Sequence, residues 1–78
     1  MNEQLRRRSV TIAGHRTSVS LEDPFWDQLK GIAARRSISI AQLVAEVDKN
    51  RQTNLSSALR VFVLKELLRQ DVLETVDS

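Results

Sequence analysis

Residues 15 to 29, "HRTSVSLEDPFWDQL", change their period at Asp23-Pro24. From Arg16 to Leu21 the chain alternates, with Thr17, Val19 and Leu21 on one side and Arg16, Ser18 and Ser20 on the other, which is the pattern of a half-buried strand. Beyond Pro24 the apolar residues Phe25, Leu29, Ile32 and Ala33 recur at helical spacing. A strand that feeds straight into a helix leaves a row of backbone N–H and C=O groups to be paired. Whatever this chain folds into must supply that second strand.

Its size narrows the sources. Seventy-eight residues make one small domain, near the lower limit at which a single chain buries enough apolar surface to fold alone, so oligomerisation is expected. Cysteine is absent, which removes disulfides and thiolate metal sites and fits a reducing cytoplasm. No apolar run approaches the roughly 18 residues of a membrane span, and "RRR" at 6–8 precedes too short an apolar segment for a signal peptide. A soluble, cytoplasmic protein with no membrane association is therefore expected.

Charge is unevenly spread. Residues 1–16 carry Arg6, Arg7, Arg8 and Arg16 against Glu3 alone, +3, whereas residues 17–78 carry eight basic and nine acidic residues, −1. The reading is a basic flexible arm over 1–8, a folded domain over 9–70 and an acidic tail over 71–78 that frays. A basic arm of this kind follows phosphates in some proteins and is a solvated terminus in others.

Three helices follow the strand. Asp23 reads as an N-cap with Pro24 at the first helical position, for a helix ending near Arg36. "SIAQ", residues 39–42, reads as a capping box that opens a second helix with Ile40, Leu43, Val44 and Val47 on one face, fading in "DKNRQT". Asn54 caps "LSSALRVFVLKELLRQ", the third. That helix is apolar on nearly every side: Leu55, Ala58, Leu59 and Phe62 form one stripe, Val61, Leu64 and Leu68 another, and Ser56, Ser57 and Arg60 the widest polar gap. Such a helix needs cover from more than one direction, for which a second subunit is the simplest source. Arg60, Lys65 and Arg69 are too dispersed for a membrane-surface helix.

The strand makes a parallel demand. Antiparallel pairing with the same segment of another copy, about a two-fold axis, would satisfy both. Val19, Leu21, Phe25, Trp26, Leu55, Leu59 and Phe62 are then the expected dimer core. An alternative source lies upstream, because Val10 and Ile12 alternate with Ser9 and Thr11, and Ala13-Gly14-His15 offers a tight turn back into the main strand.

Strand, helix, helix with a self-pairing ribbon resembles the ribbon-helix-helix superfamily of small dimeric repressors. "HRTSVSLEDPFWDQLKGIA" and "NLSSALRVFVL" resemble more narrowly its bacterial branch with a third helix and an arginine-containing amino-terminal extension. The resemblance covers about residues 9–68. It implies a fold that is mainly α with a short β ribbon, a homodimer or higher oligomer, with an additional C-terminal helix and an extra N-terminal strand as an open alternative. For function it implies double-stranded DNA read by outward ribbon side chains, here Arg16, Ser18 and Ser20, with arginine suited to guanine O6 and N7. It also implies phosphates held at the amino terminus of the second helix by Ser39 and Ile40 with Arg35 and Arg36 nearby, and along the arm by Arg6, Arg7 and Arg8.

Plainer readings stand beside these. Ser18 and Ser20 are also what any solvent-facing strand carries, Ser39 is also an ordinary helix cap, and Trp26 is more often packing than a platform for bases. His15, the one histidine, has no partner at metal-ligand spacing, so no metal or other cofactor is expected. Ser37 stands where many members of the superfamily place a glycine between the helices. With no Cys, no glycine-rich phosphate loop and no paired carboxylates in a plausible pocket, enzymatic function is set aside. Two hypotheses remain: a DNA-binding transcriptional regulator, and a protein-interaction or antitoxin-like module that does not use its sheet on DNA. Geometry separates them. The major groove is roughly 12 Å wide, whereas four strands about 4.8 Å apart span about 14 Å of backbone, so a ribbon flanked on both sides by extra strands does not fit.

Overall fold

Two strands and three helices follow in the order β1 (Leu5–Ile12), β2 (His15–Glu22), α1 (Asp23–Arg35), α2 (Ile40–Asn50) and α3 (Leu55–Asp77). The computed structural model describes the backbone of residues 5–77 and the side chains of residues 5–69. β1 and β2 form an antiparallel hairpin in the register Arg6↔Leu21, Arg8↔Val19, Val10↔Thr17 and Ile12↔His15. Ala13 (φ 51°) and Gly14 (φ 81°) make the two-residue turn, and left-handed backbone at both positions matches the right-handed twist of the strands.

The hairpin supplies the extra amino-terminal strand that the sequence left open, pairing β2 with β1 on one edge, and β1 begins at Leu5 instead of Ser9. Leu5–Arg8 are thus strand, not flexible arm; residues 1–4 of that arm lie outside the described residues. The reason is that the period-two pattern continues through the arginines: Arg8, Val10 and Ile12 turn toward the helices while Arg7, Ser9 and Thr11 are exposed.

Helix boundaries follow local chemistry with one shift. α1 starts a residue earlier than its signal implied, with Glu22 at the N-cap position and no side-chain cap, because Asp23 is taken up by arginines of β1. Its end is a Schellman motif, in which Ile38 N–H donates to the Ala33 carbonyl (3.0 Å) and Ser37 N–H to that of Ala34 (3.1 Å). Ser37 sits at φ 58°, the left-handed position that glycine would occupy without strain. The Ser39/Gln42 capping box is present in both directions. Asn54 Oδ1 accepts from Ser57 N–H at 2.9 Å, as the sequence implied. α3 continues to Asp77, through most of the expected acidic tail, whose side chains lie outside the described residues.

The core forms inside one chain. Val19, Leu21, Leu29, Leu43, Val44, Leu59 and Val63 are almost completely buried, and Val10, Ile32, Ala33 and Leu55 complete the cluster. Val19, Leu21, Leu55 and Leu59 are therefore enclosed without a second copy, with Phe25, Trp26 and Phe62 partly buried against them. Val61, Leu64 and Leu68 remain 48%, 54% and 56% exposed. One stripe of α3 is covered by the chain and the other is open.

Candidate nucleic-acid interface

Residues directly opposite in an antiparallel pair share a face, so the register sorts the hairpin into two surfaces. The inner one holds Val10, Ile12, Val19 and Leu21. The outer one places Arg7 opposite Ser20, Ser9 opposite Ser18 and Thr11 opposite Arg16. Arg16 and Ser18 are exposed and Ser20 is half-buried, so the structure puts all three ribbon residues singled out in the sequence on one surface. Arg7 joins them, together with Ser9 and Thr11, which the sequence reading did not select. Their signal was available in the alternation Arg7, Ser9, Thr11 against Arg8, Val10, Ile12.

The other expected phosphate ligands divide by whether they already have partners. Arg8 turns inward: its Nη2 donates to Asp23 Oδ1 at 2.5 Å and its guanidinium lies 4.9 Å from the centre of the Trp26 ring. Arg6 reaches the same carboxylate at 3.4 Å. Arg36 is held by Glu66, lies within 3.9 Å of Glu46, and stacks 5.5 Å over Phe62. A third arginine repeats the arrangement, for Arg60 bonds Glu22 at 2.9 Å and stands 6.0 Å from Phe25. Each sits between an aromatic face and a carboxylate, where a guanidinium gains both a charge-assisted hydrogen bond and a cation–π contact. Arg8 and Arg36 therefore hold the helices and the hairpin together, and their charge is largely neutralised in place. Arg7, Arg16 and Arg35 form no salt bridge among the described residues.

At the junction of α1 and α2 the groups expected to hold a phosphate are partly taken up by the chain itself. Ser39 Oγ accepts from Gln42 N–H at 3.0 Å, and Ser39 N–H donates to Gln42 Oε1 at 2.8 Å. What stays at the open end of α2 are the N–H groups of Ile40 and its neighbour, with exposed Arg35 on the preceding helix.

α3 explains its own polar gap. Ser20 N–H donates to Ser56 Oγ (3.1 Å), and Arg60 Nη2 donates to the Ser20 carbonyl (3.3 Å) and binds Glu22 beyond it. The carboxyl of Glu22 lies below the usual carboxylate range, chiefly because Arg60 donates to it and secondarily because its own backbone N–H does. Neither Ser56 nor Arg60 was singled out for this role in the sequence. No group of His, Cys, Asp and Glu side chains able to hold a metal occurs among the described residues, and no helix there is long and apolar enough to cross a membrane.

Comparison with known proteins bears on this geometry. A solved structure of an uncharacterized protein from Bordetella pertussis Tohama I is similar, with 33% sequence identity and a TM-score of 0.75. The match covers 90% of this chain and 61% of that one, so the chain spans somewhat under two thirds of the other's length. No curated protein matches. A family profile for the ribbon-helix-helix domain matches residues 5–67, which takes in both strands, α1, α2 and the half of α3 that packs on them; the chain belongs to that family.

Proposed function

We propose that this protein is a DNA-binding transcriptional regulator that sets the outer face of its ribbon in the major groove. Members of the family are typically DNA-binding regulators or antitoxins. The observation that carries the choice is the outer face itself: Arg16, Ser18 and Ser20 are presented together, beside Arg7, and the acidic side chain on that face, Glu22, is bound by Arg60. Arginine reads guanine bidentately, and serine donates or accepts at several bases. Arg35 and the amino end of α2 then serve as a phosphate anchor. In this reading the protein acts as a homodimer, with the open α3 stripe of Val61, Leu64 and Leu68 as the surface on which a second copy packs, and it works in the cytoplasm without catalysis.

The test is binding of the full chain to duplex DNA, selected from a randomised pool, across a range of salt. Arg16→Ala lowers the preference for selected over random duplex by about tenfold, the scale of one lost bidentate base contact. Arg35→Ala weakens every duplex alike and reduces the salt slope by about one. Absence of selective binding at low salt refutes the proposal. A second reading, docking of a protein segment, is favoured by one feature: an open groove of about 520 Å³ between the end of α2 and α3, with Val47, Ala58, Val61 and Phe62 among its lining residues.

A further inference from the structure

α3 outlasts the core it packs on. Among the described side chains Val63 is the last of the core, and the family match stops at residue 67, yet the helix runs on to Asp77. Residues 64–77 thus extend about 20 Å past Val63 at 1.5 Å per residue. A short helix in water needs a packed apolar face to persist. Here that face is open: Val61, Leu64 and Leu68 recur at spacings of three and four residues, and the sequence continues the stripe with Val72. Val61 belongs also to the groove between α2 and α3, which Val47, Ala58, Phe62 and Lys65 help to line. Lys65 is exposed and forms no salt bridge among the described residues. The sequence that follows it on α3 carries the opposite sign, with Asp71, Glu74 and Asp77 against Arg69 alone.

We propose that two α3 helices pair antiparallel about a two-fold axis at Leu68, so that the acidic carboxyl-terminal end of each lies along the α2–α3 groove of the other. This rests on the proposed function only for the homodimer on α3, to which it gives an orientation, a register and a seat; DNA binding is not among its premises. Residues equally far from Leu68 on either side then face each other. Leu64 meets the partner's Val72 and Lys65 meets the partner's Asp71, each twice by symmetry. A parallel pair would instead set Lys65 against Lys65 and Asp71 against Asp71, and like charges in contact disfavour it. Apolar area drives the pairing; charge selects its direction. The hairpin is not in the way. Arg60, which holds Ser20 and Glu22, flanks the stripe on one side of α3, whereas Ala58, Phe62 and Lys65 flank it on the other. A helix seated in the groove approaches from the side away from β2.

The charges give the decisive test. Lys65→Glu meets the partner's Asp71 with a like charge, and Asp71→Lys does the same to the partner's Lys65. Each variant alone therefore assembles in sedimentation at about tenfold higher concentration than wild type, the scale of two exposed ion pairs turned repulsive. Mixed in equal amounts, the two restore wild-type assembly, because each copy then offers the charge that the other lacks. Unchanged assembly in either variant overturns the proposal. Loss without restoration on mixing overturns it too, and assigns the groove to another occupant. The absence of cysteine allows an independent check of the register. Leu68→Cys, on the axis, forms an interchain disulfide under mild oxidation, whereas Val61→Cys, about 20 Å from its own counterpart, does not. Cross-linking at Val61, or none at Leu68, overturns the antiparallel pairing. Both residues are exposed in the single chain, and helical content by circular dichroism checks that each variant folds. Duplex selection by the wild-type chain is scored separately. DNA binding without α3 pairing removes this proposal and leaves the functional reading; α3 pairing without DNA binding supports this proposal and removes that reading.

Discussion

Arg7 and Arg8 are adjacent, identical in chemistry and opposite in direction, which makes the pair a sharp test of the hairpin register. The Arg8 side chain is 23% exposed, as is that of Asp23, the carboxylate it bonds at 2.5 Å. A charge-assisted bond of this kind contributes about 1.5–3 kcal/mol, and the stacking on Trp26 about 0.5–1 kcal/mol. Against this, Arg8 Nε is buried without a hydrogen-bond partner, an offset of about 1–2 kcal/mol. Arg6 still reaches Asp23 after Arg8 is removed, which moderates the loss. Arg8→Ala therefore costs about 2 kcal/mol, whereas the outward Arg7→Ala stays within about 0.5 kcal/mol of wild type. With a urea slope near 1 kcal/mol per molar for so small a domain, the unfolding midpoint falls by about 2 M for Arg8→Ala and hardly moves for Arg7→Ala. Trp26, the one tryptophan, reports the transition, and its native emission shifts in the Arg8 variant because the cation leaves its ring. Equal midpoints for the two variants would mean that neither arginine is placed as the register requires.

Three further outcomes follow from named contacts. Ser37→Gly raises stability by about 0.5–1 kcal/mol in the same assay, since φ 58° is strained for serine and free for glycine. Glu22 titrates below its ordinary range, so its link to Arg60 is intact above the unfolded-state value and is lost as pH falls through the lowered folded-state one; Glu22→Gln removes that part of the acid limb in a pH-dependent melting series. Leu64→Lys leaves the fold intact, because Leu64 is more than half exposed in the single chain, yet dissociates an assembly built on α3 in sedimentation, while Leu59→Ala on the buried stripe costs about 2–5 kcal/mol of stability.

Much of the fold was legible because its signals are local. The Ser39/Gln42 capping box, the Asn54 cap and the turn at Ala13-Gly14 each involve residues within a few positions of one another, and each is present. What stayed hidden depended on contacts distant in sequence. Arg60 binds Glu22 and the Ser20 carbonyl across 38 and 40 positions, so a polar gap on α3 could be seen but not what it faced. The exposed and covered stripes of α3 look alike in composition, and only packing distinguishes Leu59 from Leu64.

The same distinction governs the candidate site. A count of charge makes Arg6, Arg7, Arg8 and Arg16 one basic cluster at the amino end, and on that ground all four attract phosphate. Geometry divides them, because a cation already bonded to a carboxylate and laid on an aromatic ring contributes little net field to an approaching polyanion. Arg8 is spent on Asp23 and Trp26, and Arg6 shares the same acid. Arg7 and Arg16 remain, at opposite corners of one hydroxyl-rich face. A cluster of four that acted as a block would bind any polyanion in proportion to its charge. Two separated guanidiniums held on a paired ribbon instead impose a spacing, and a spacing is something a DNA sequence can match or fail to match.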